Sequence, residues 1–395
     1  MTGPETVSGQ AMPGLAASVS NAPPCRAARA RKGIGAIPFR FLSRILTGTA
    51  VLVAVSTGPA VAQTDFSGET ITVYAGGQPG SGVDVFTRTF MRYYAKALPG
   101  QPTIVIKNMF GARGTEGVAY AYKNGATDGT TLTTMASGPI QEAVFGGRKP
   151  AYDIREFKWV GSLAIGQSTC FVWHDSKIKS VEDMINNQVT VSATGSRSNS
   201  KLLPLMINHT TGTRMKPVVG YGGAGSVLAV ERQEVDGRCI PLDTLEVTYP
   251  DWIGQNQVRF LIDASLTPNE RLPEGTPNVM NLIEDPKDRL AMRLFLLPAE
   301  VTIPYGLAPE TNPEAVATHR TAFRKAVRNP SYLADARRHN QDIRPKSGEE
   351  VTAIIEELFT APPDMIRRVK RYIGDNTVAG RCQGNLCQRP KKNQE

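Results

Sequence analysis

The sequence is poor in the residues that most often carry chemistry. Its 395 residues include only 4 histidines and 5 cysteines. The histidines are scattered and no C-x-x-C pair occurs, which argues against a zinc site. There is no G-x-S-x-G elbow, no H-E-x-x-H, and no spacing that pairs a nucleophile with a general base. No Walker-type Lys-Ser/Thr follows a glycine-rich loop. Beyond the N-terminal leader, no apolar run reaches the ~20 residues a bilayer-spanning helix needs. The net charge of +9 also says less than it suggests. Residues 1–62 hold six bases and one acid, Glu5, so residues 63–395 carry only +4 of it. That is a solvated surface and excludes a nucleic-acid footprint.

The leader has its own order. Basic residues end at Arg44, an apolar run covers Ile45 to Val55, and Ala60-Val61-Ala62 forms a small-x-small site before Gln63. This is the order of a secretory signal peptide cleaved after Ala62; the alternative is a single membrane anchor, for which the run is short. The basic stretch is long for a signal peptide, so a start at Met12 or elsewhere is an alternative. No cysteine follows the cleavage site, so no lipid anchor is indicated there. Export leaves four cysteines in an oxidising compartment, which allow three pairings. The most natural joins Cys170 to Cys239, both at strand-like positions, and Cys382 to Cys387 in the tail; free buried thiols are the alternative.

From Glu69 onward, β-rich runs alternate with amphipathic stretches. Strands are expected at 70–74, 103–109 and 130–135, with helices at 84–98 (Asp84 as N-cap) and 117–123. Strand–helix–strand at this spacing reads as a parallel α/β sheet with right-handed crossovers. A second unit repeats the pattern. Ser180 and Asp183 open a helix in the manner of a capping box. Strands follow at 168–173, 189–193, 216–221, 235–240 and 258–263, with helices at 202–207 and 226–232. Helices at 313–328, 351–359 and 365–373 close the chain before a loose tail. The expected division is residues 63–164 with 291–380 in a first lobe, 165–290 in a second, and 381–395 as tail. Each lobe is a mainly parallel sheet flanked by helices, with a cleft between them. Ligands of such sheets bind beyond the carboxyl ends of the strands.

Those ends are rich in glycine and serine. Gly76–Asp84 leads into the first helix, where backbone N–H groups and the helix dipole suit an anion. As a dinucleotide fingerprint it lacks the third glycine, and it could equally be a tight turn. Met135–Pro139, Ala193–Lys201 and Gly220–Ser226 occupy the same place after other strands. Asp243 is a lone acid in a plausible cleft position; an acid there more often caps or pairs.

Several ordered segments resemble one family. Thr70–Tyr74 followed by Gly77, Gly80-Ser81-Gly82-Val83-Asp84 and Arg88 is similar to the opening of the tripartite tricarboxylate transporter receptors, the Bug proteins. Val105–Gly114 resembles their V-x-N-x-P-G-A-G-G segment, with Phe110 and Arg113 in place of Pro and Gly. Ala126–Leu132 matches P-D-G-x-T-L, and Tyr221–Ser226 with Glu234–Gly237 matches Y-x-G and G-x-V-D. The resemblance covers roughly residues 69–373. It implies a periplasmic receptor of Venus-flytrap architecture without a cofactor. Such a receptor, likened to a monomer, would bind a small carboxylate and hand it to the membrane subunits of a secondary transporter. Carried over by position, the ligand-binding groups are Gly80, Ser81 and Gly82 with Ser137 and Gly138 from one lobe, and Asp84 at the start of the first helix is a further candidate. From the other come Ser196, Arg197, Ser198, Asn199 and Ser200 with Tyr221, Gly222 and Gly223; Asp243 joins them from its strand-end position. Arg197 and Lys201 stand where small residues are expected, and Arg197 is the candidate for charge selectivity. A secreted enzyme on the same scaffold and a ligand-presenting sensory receptor are the competing functions.

Overall fold

The computed structural model describes residues 63–146, 150–223 and 225–374. The leader and its cleavage site, and Cys382 and Cys387, lie outside the described residues.

The chain opens with β1 (Thr70–Ala75), α1 (Gly82–Ala97), β2 (Thr103–Asn108), α2 (Thr115–Asn124), β3 (Thr131–Thr134) and α3 (Gly138–Phe145). Ile71 and Val73 of β1 and Leu132 of β3 are fully buried. β1 pairs parallel with both β2 and β3, as the strand–helix–strand spacing requires. β4 (Lys158–Ala164) then leads out of this sheet into β5 (Ser168–Trp173), which belongs to the second.

Next come α4 (Val181–Asn186), β6 (Val189–Ala193), α5 (Asn199–Thr211), β7 (Met215–Val219) and α6 (Gly225–Glu231). β8 (Gly237–Pro241), α7 (Leu242–Thr248), α8 (Pro250–Gly254) and β9 (Val258–Ala264) complete the second sheet, in the order β7-β6-β8-β5-β9. Ser180 caps α4 with Asp183 in a reciprocal capping box, as the sequence implied. Through α9 (Val279–Leu282) and α10 (Pro286–Leu296) the chain returns to the first sheet as β10 (Thr302–Leu307). α11 (Pro313–Val327), α12 (Pro330–Arg338), β11 (Lys346–Ser347), α13 (Gly348–Thr360) and α14 (Pro363–Gly374) follow. The first sheet has the order β11-β4-β10-β3-β1-β2.

Both sheets are therefore mixed, not mainly parallel as expected. β10 runs antiparallel between β3 and β4, and β5 runs antiparallel to β8 and β9. β10 is hard to read from sequence because Pro304 and Gly306 interrupt it, and proline normally argues against a central strand. The irregularity between Tyr305 and Gly306 accommodates it. At β4, residues 159–164 are all buried, so no alternation marks the strand.

One side of the first sheet packs on an aromatic cluster in which Phe90 of α1 meets Tyr94, Tyr305, Phe323 and Tyr332. A larger core runs from Trp159, Val351 and Leu358 to Met206, Met215 and Cys239 of the second unit. α14 packs on α5 and α10, so the last helix reaches second-sheet elements from the C-terminus. Cys170 and Cys239 face each other across β5 and β8 and form the expected disulfide. The two crossovers between the sheets lie side by side, where Gly166 N–H donates to Ala299 O at 2.7 Å.

Candidate functional site

The first strand-end loop is held from within. Ser81, not Asp84, occupies the cap position of α1, and Asp84 lies inside the first turn, 3% exposed. Its carboxylate accepts from Gly80 N–H (2.9 Å), Arg88 Nε (2.9 Å) and Asn108 Nδ2 (2.8 Å). Burial pushes the Asp84 pKa up, but the bonds from Arg88, Gly80 and Asn108 outweigh it and hold the carboxyl below its usual value. Asn108 also donates to Gly77 O at 2.9 Å. The Ser81 N–H is bonded to Gln78 O. Asp84 thus clasps the loop, and the N–H groups of Gly80 and Ser81 are already engaged. The Ser81 hydroxyl is buried without a hydrogen-bond partner.

Against this loop lies the turn after β2. Gly114 adopts φ +89°, and a Cβ there would stand 2.4 Å from Gly76 O. Only glycine fits both the conformation and the contact.

In the second unit, the loop after β6 is likewise self-bonded. Thr194 N–H donates to Ser200 Oγ (3.1 Å), Gly195 N–H to Ser198 Oγ (3.2 Å), and the two serine hydroxyls lie 2.9 Å apart. Ser198 and Ser200 therefore shape the loop, leaving Ser196, Arg197 and Asn199 exposed on it. Gly222 and Gly223 are exposed, and their carbonyls accept from Ser226 at the start of α6. Burial, together with the carboxylate of Glu234, raises the Tyr221 pKa.

Asp243 is paired, the more common fate of an acid in such a position. It pairs with Arg271 at 2.6 Å, and Arg271 also meets Glu246 (2.7 Å) and Asp342 (3.7 Å). Burial and its acidic neighbours Asp243 and Asp342 hold the Glu246 pKa up despite Arg271. Nearby, Gln167 is 3% exposed, accepts from Arg344 (2.8 Å) and donates to Thr267 O (3.2 Å). Asp243 belongs to this polar cluster at the crossover.

What the fold does bring together is Gly138, Ser196 and Arg197. Two neighbouring cavities, each about 290 Å³, lie between α3 and the loop after β6, and both touch Gly138, Glu142 and Arg197. One extends to Ala112 and Thr115; the other extends to Ser196, Lys201 and Lys370. Ser137 precedes α3 with no side-chain cap bond. Gly80–Gly82 and Tyr221–Gly223 line neither cavity. Glu142 and Lys370 were not anticipated. Lys370 sits on the far C-terminal helix, and no local pattern connects it to a loop after β6. Two further hollows of about 530 Å³ lie beside α11 and beside β9. Among the described residues, no three His, Cys, Asp or Glu side chains converge as a metal site requires.

Two sheets facing each other through strand-end loops, with paired crossovers, form a known architecture. The chain has the two-lobed fold of the periplasmic binding proteins. It is similar to a TctC solute-binding protein from Polaromonas, with 19% identity over 77% of this chain and 98% of that one, at a TM-score of 0.60. An R. palustris protein holding adipate matches at 17% identity over 78% and 99% of the two chains, TM-score 0.56. MatC from Rhodopseudomonas palustris with bound malate matches at 19% identity over 77% and 98%, TM-score 0.52. No family model and no curated protein matches the sequence.

Proposed function

We propose that this protein is an exported solute-binding receptor of the tripartite tricarboxylate transporter type. It captures a small carboxylate in the cleft between its lobes and delivers it to membrane subunits of a secondary transporter. The observation that carries the reading is the placement of Gly138, Ser196 and Arg197 around paired cavities between strand-end loops of two sheets. A half-buried helix start, a hydroxyl and a guanidinium are groups that hold a carboxylate. The ordered motifs from Thr70 to Gly237 support it, as do the malate and adipate held by proteins of the same fold. The protein binds its ligand without transforming it and works as a periplasmic monomer released by cleavage after Ala62. The lobes are built on the two sheets and divide at the crossovers, where Gly166 N–H donates to Ala299 O.

The test is a thermal-shift screen of mono-, di- and tricarboxylates followed by calorimetry. A ligand at 100 times its dissociation constant stabilises the folded state by about 2.7 kcal/mol, a readily measured shift. A flat response across the panel refutes the reading.

A further inference from the structure

The two cavities meet at one ion pair. Arg197 Nη2 lies 2.5 Å from Glu142 Oε1, joining the loop after β6 to helix α3 across the cleft. Arg197 is half exposed, but its guanidinium is already paired with a carboxylate. Gly146 leaves room for this arrangement, since a Cβ there would lie 2.6 Å from Glu142 Oε1. Of the charged side chains lining the cavity on the C-terminal side, Arg197, Lys201 and Lys370 are positive and Glu142 alone is negative. Neither lysine forms an ion pair with a described residue, and the Lys370 ammonium rests 3.5 Å from Gly146 O.

A carboxylate is thus drawn to this cavity, but its best partner is engaged by one that is covalently part of the protein. Both members of the pair keep substantial exposure, 54% for Arg197 and 29% for Glu142. An ion pair so exposed to water is weak and readily exchanged. An incoming carboxylate can take over the bonds to Arg197 and gain the field of Lys201 and Lys370 as well. Glu142, held by its helix, reaches only the guanidinium in this structure.

We infer that the Arg197–Lys201–Lys370 cavity is a second anion subsite and that Glu142 is the residue that sets its selectivity, as its internal occupant. The inference rests on the carboxylate-receptor reading and deepens it. A ligand with one carboxylate has no second anionic group to exchange for Glu142. A ligand with two places its distal carboxylate at Arg197, and Glu142 turns away. Discrimination between the classes is then set by how strongly Glu142 competes.

Adipate and hexanoate have the same chain length and differ in the second carboxylate, so they isolate this effect. Calorimetry should show Glu142→Gln binding adipate about fivefold more tightly than the unaltered protein, the upper range for losing an exposed ion pair, with hexanoate unchanged. Arg197→Gln should weaken adipate more than it weakens hexanoate, which gives a second reading if Glu142→Gln folds poorly. Equal adipate affinity in the Glu142 variant and the unaltered protein overturns the inference while leaving the receptor reading in place. Weaker adipate binding in that variant does the same, by making Glu142 a support of the site. Binding of adipate by Glu142→Gln alone upholds the internal occupant in its strongest form. Binding of no carboxylate by any of the proteins overturns both readings.

Discussion

His319 makes a quantitative prediction about acid stability. It lies on α11, fully buried, and its ring is held at both nitrogens. Nε2 is 2.9 Å from the carbonyl of Gly129 and must donate; Nδ1 is 2.6 Å from the hydroxyl of Tyr94 and accepts. Burial drives its pKa down to about 4, against a smaller upward pull from the Gly129 bond. An unfolded histidine titrates near 6.5. Above that value both states are neutral and the group makes no pH-dependent contribution. As the pH falls below 6.5 the unfolded chain takes up a proton that the folded one refuses, and folding loses free energy. The loss should reach about 2 kcal/mol at pH 5 and about 3 kcal/mol at pH 4, where uptake by the folded state begins to halt it. Carboxylates held low in the fold, such as Asp84 and Asp335, also cost stability in acid, so the unaltered protein alone is uninformative. The measurement is urea unfolding of the protein and of His319→Gln between pH 7 and pH 4. The stability gap at pH 7 should shrink by these amounts on acidification. A gap that stays constant from pH 7 to pH 5 refutes the reasoning.

Two further perturbations are equally concrete. Cys170 and Cys239 are separated by 69 positions, so opening their disulfide should lower stability by about 4 kcal/mol on the loop-entropy account; coincident urea midpoints with and without reductant contradict this. Asp84→Asn removes the charge that gathers Gly80, Arg88 and Asn108, and should cost roughly 1.5–3 kcal/mol, the range for hydrogen bonds to a charged group. An unchanged urea midpoint would make the clasp dispensable.

The sequence by itself determined the α/β character, the first three parallel strands and the Ser180 capping box, because hydrophobic period and capping chemistry act over a few residues. It also pointed to the pairing of Cys170 with Cys239, since both fall in strand-like runs. β10 was out of its reach, because its position between β3 and β4 is a nonlocal fact and Pro304 and Gly306 erase the local signal. The same limit governs the site. Glycine and serine content located the strand-end loops, but composition cannot say which polar groups those loops spend on themselves. Only the tertiary structure shows Asp84, Ser198 and Ser200 bonded inward and Asp243 committed to Arg271 at the crossover. Glu142 and Lys370 came to the cleft by the packing of α3 and α14 beside α5, a meeting of segments far apart in the chain. Local pattern decides which loops stand at strand ends, whereas long-range packing decides which charges face one another there.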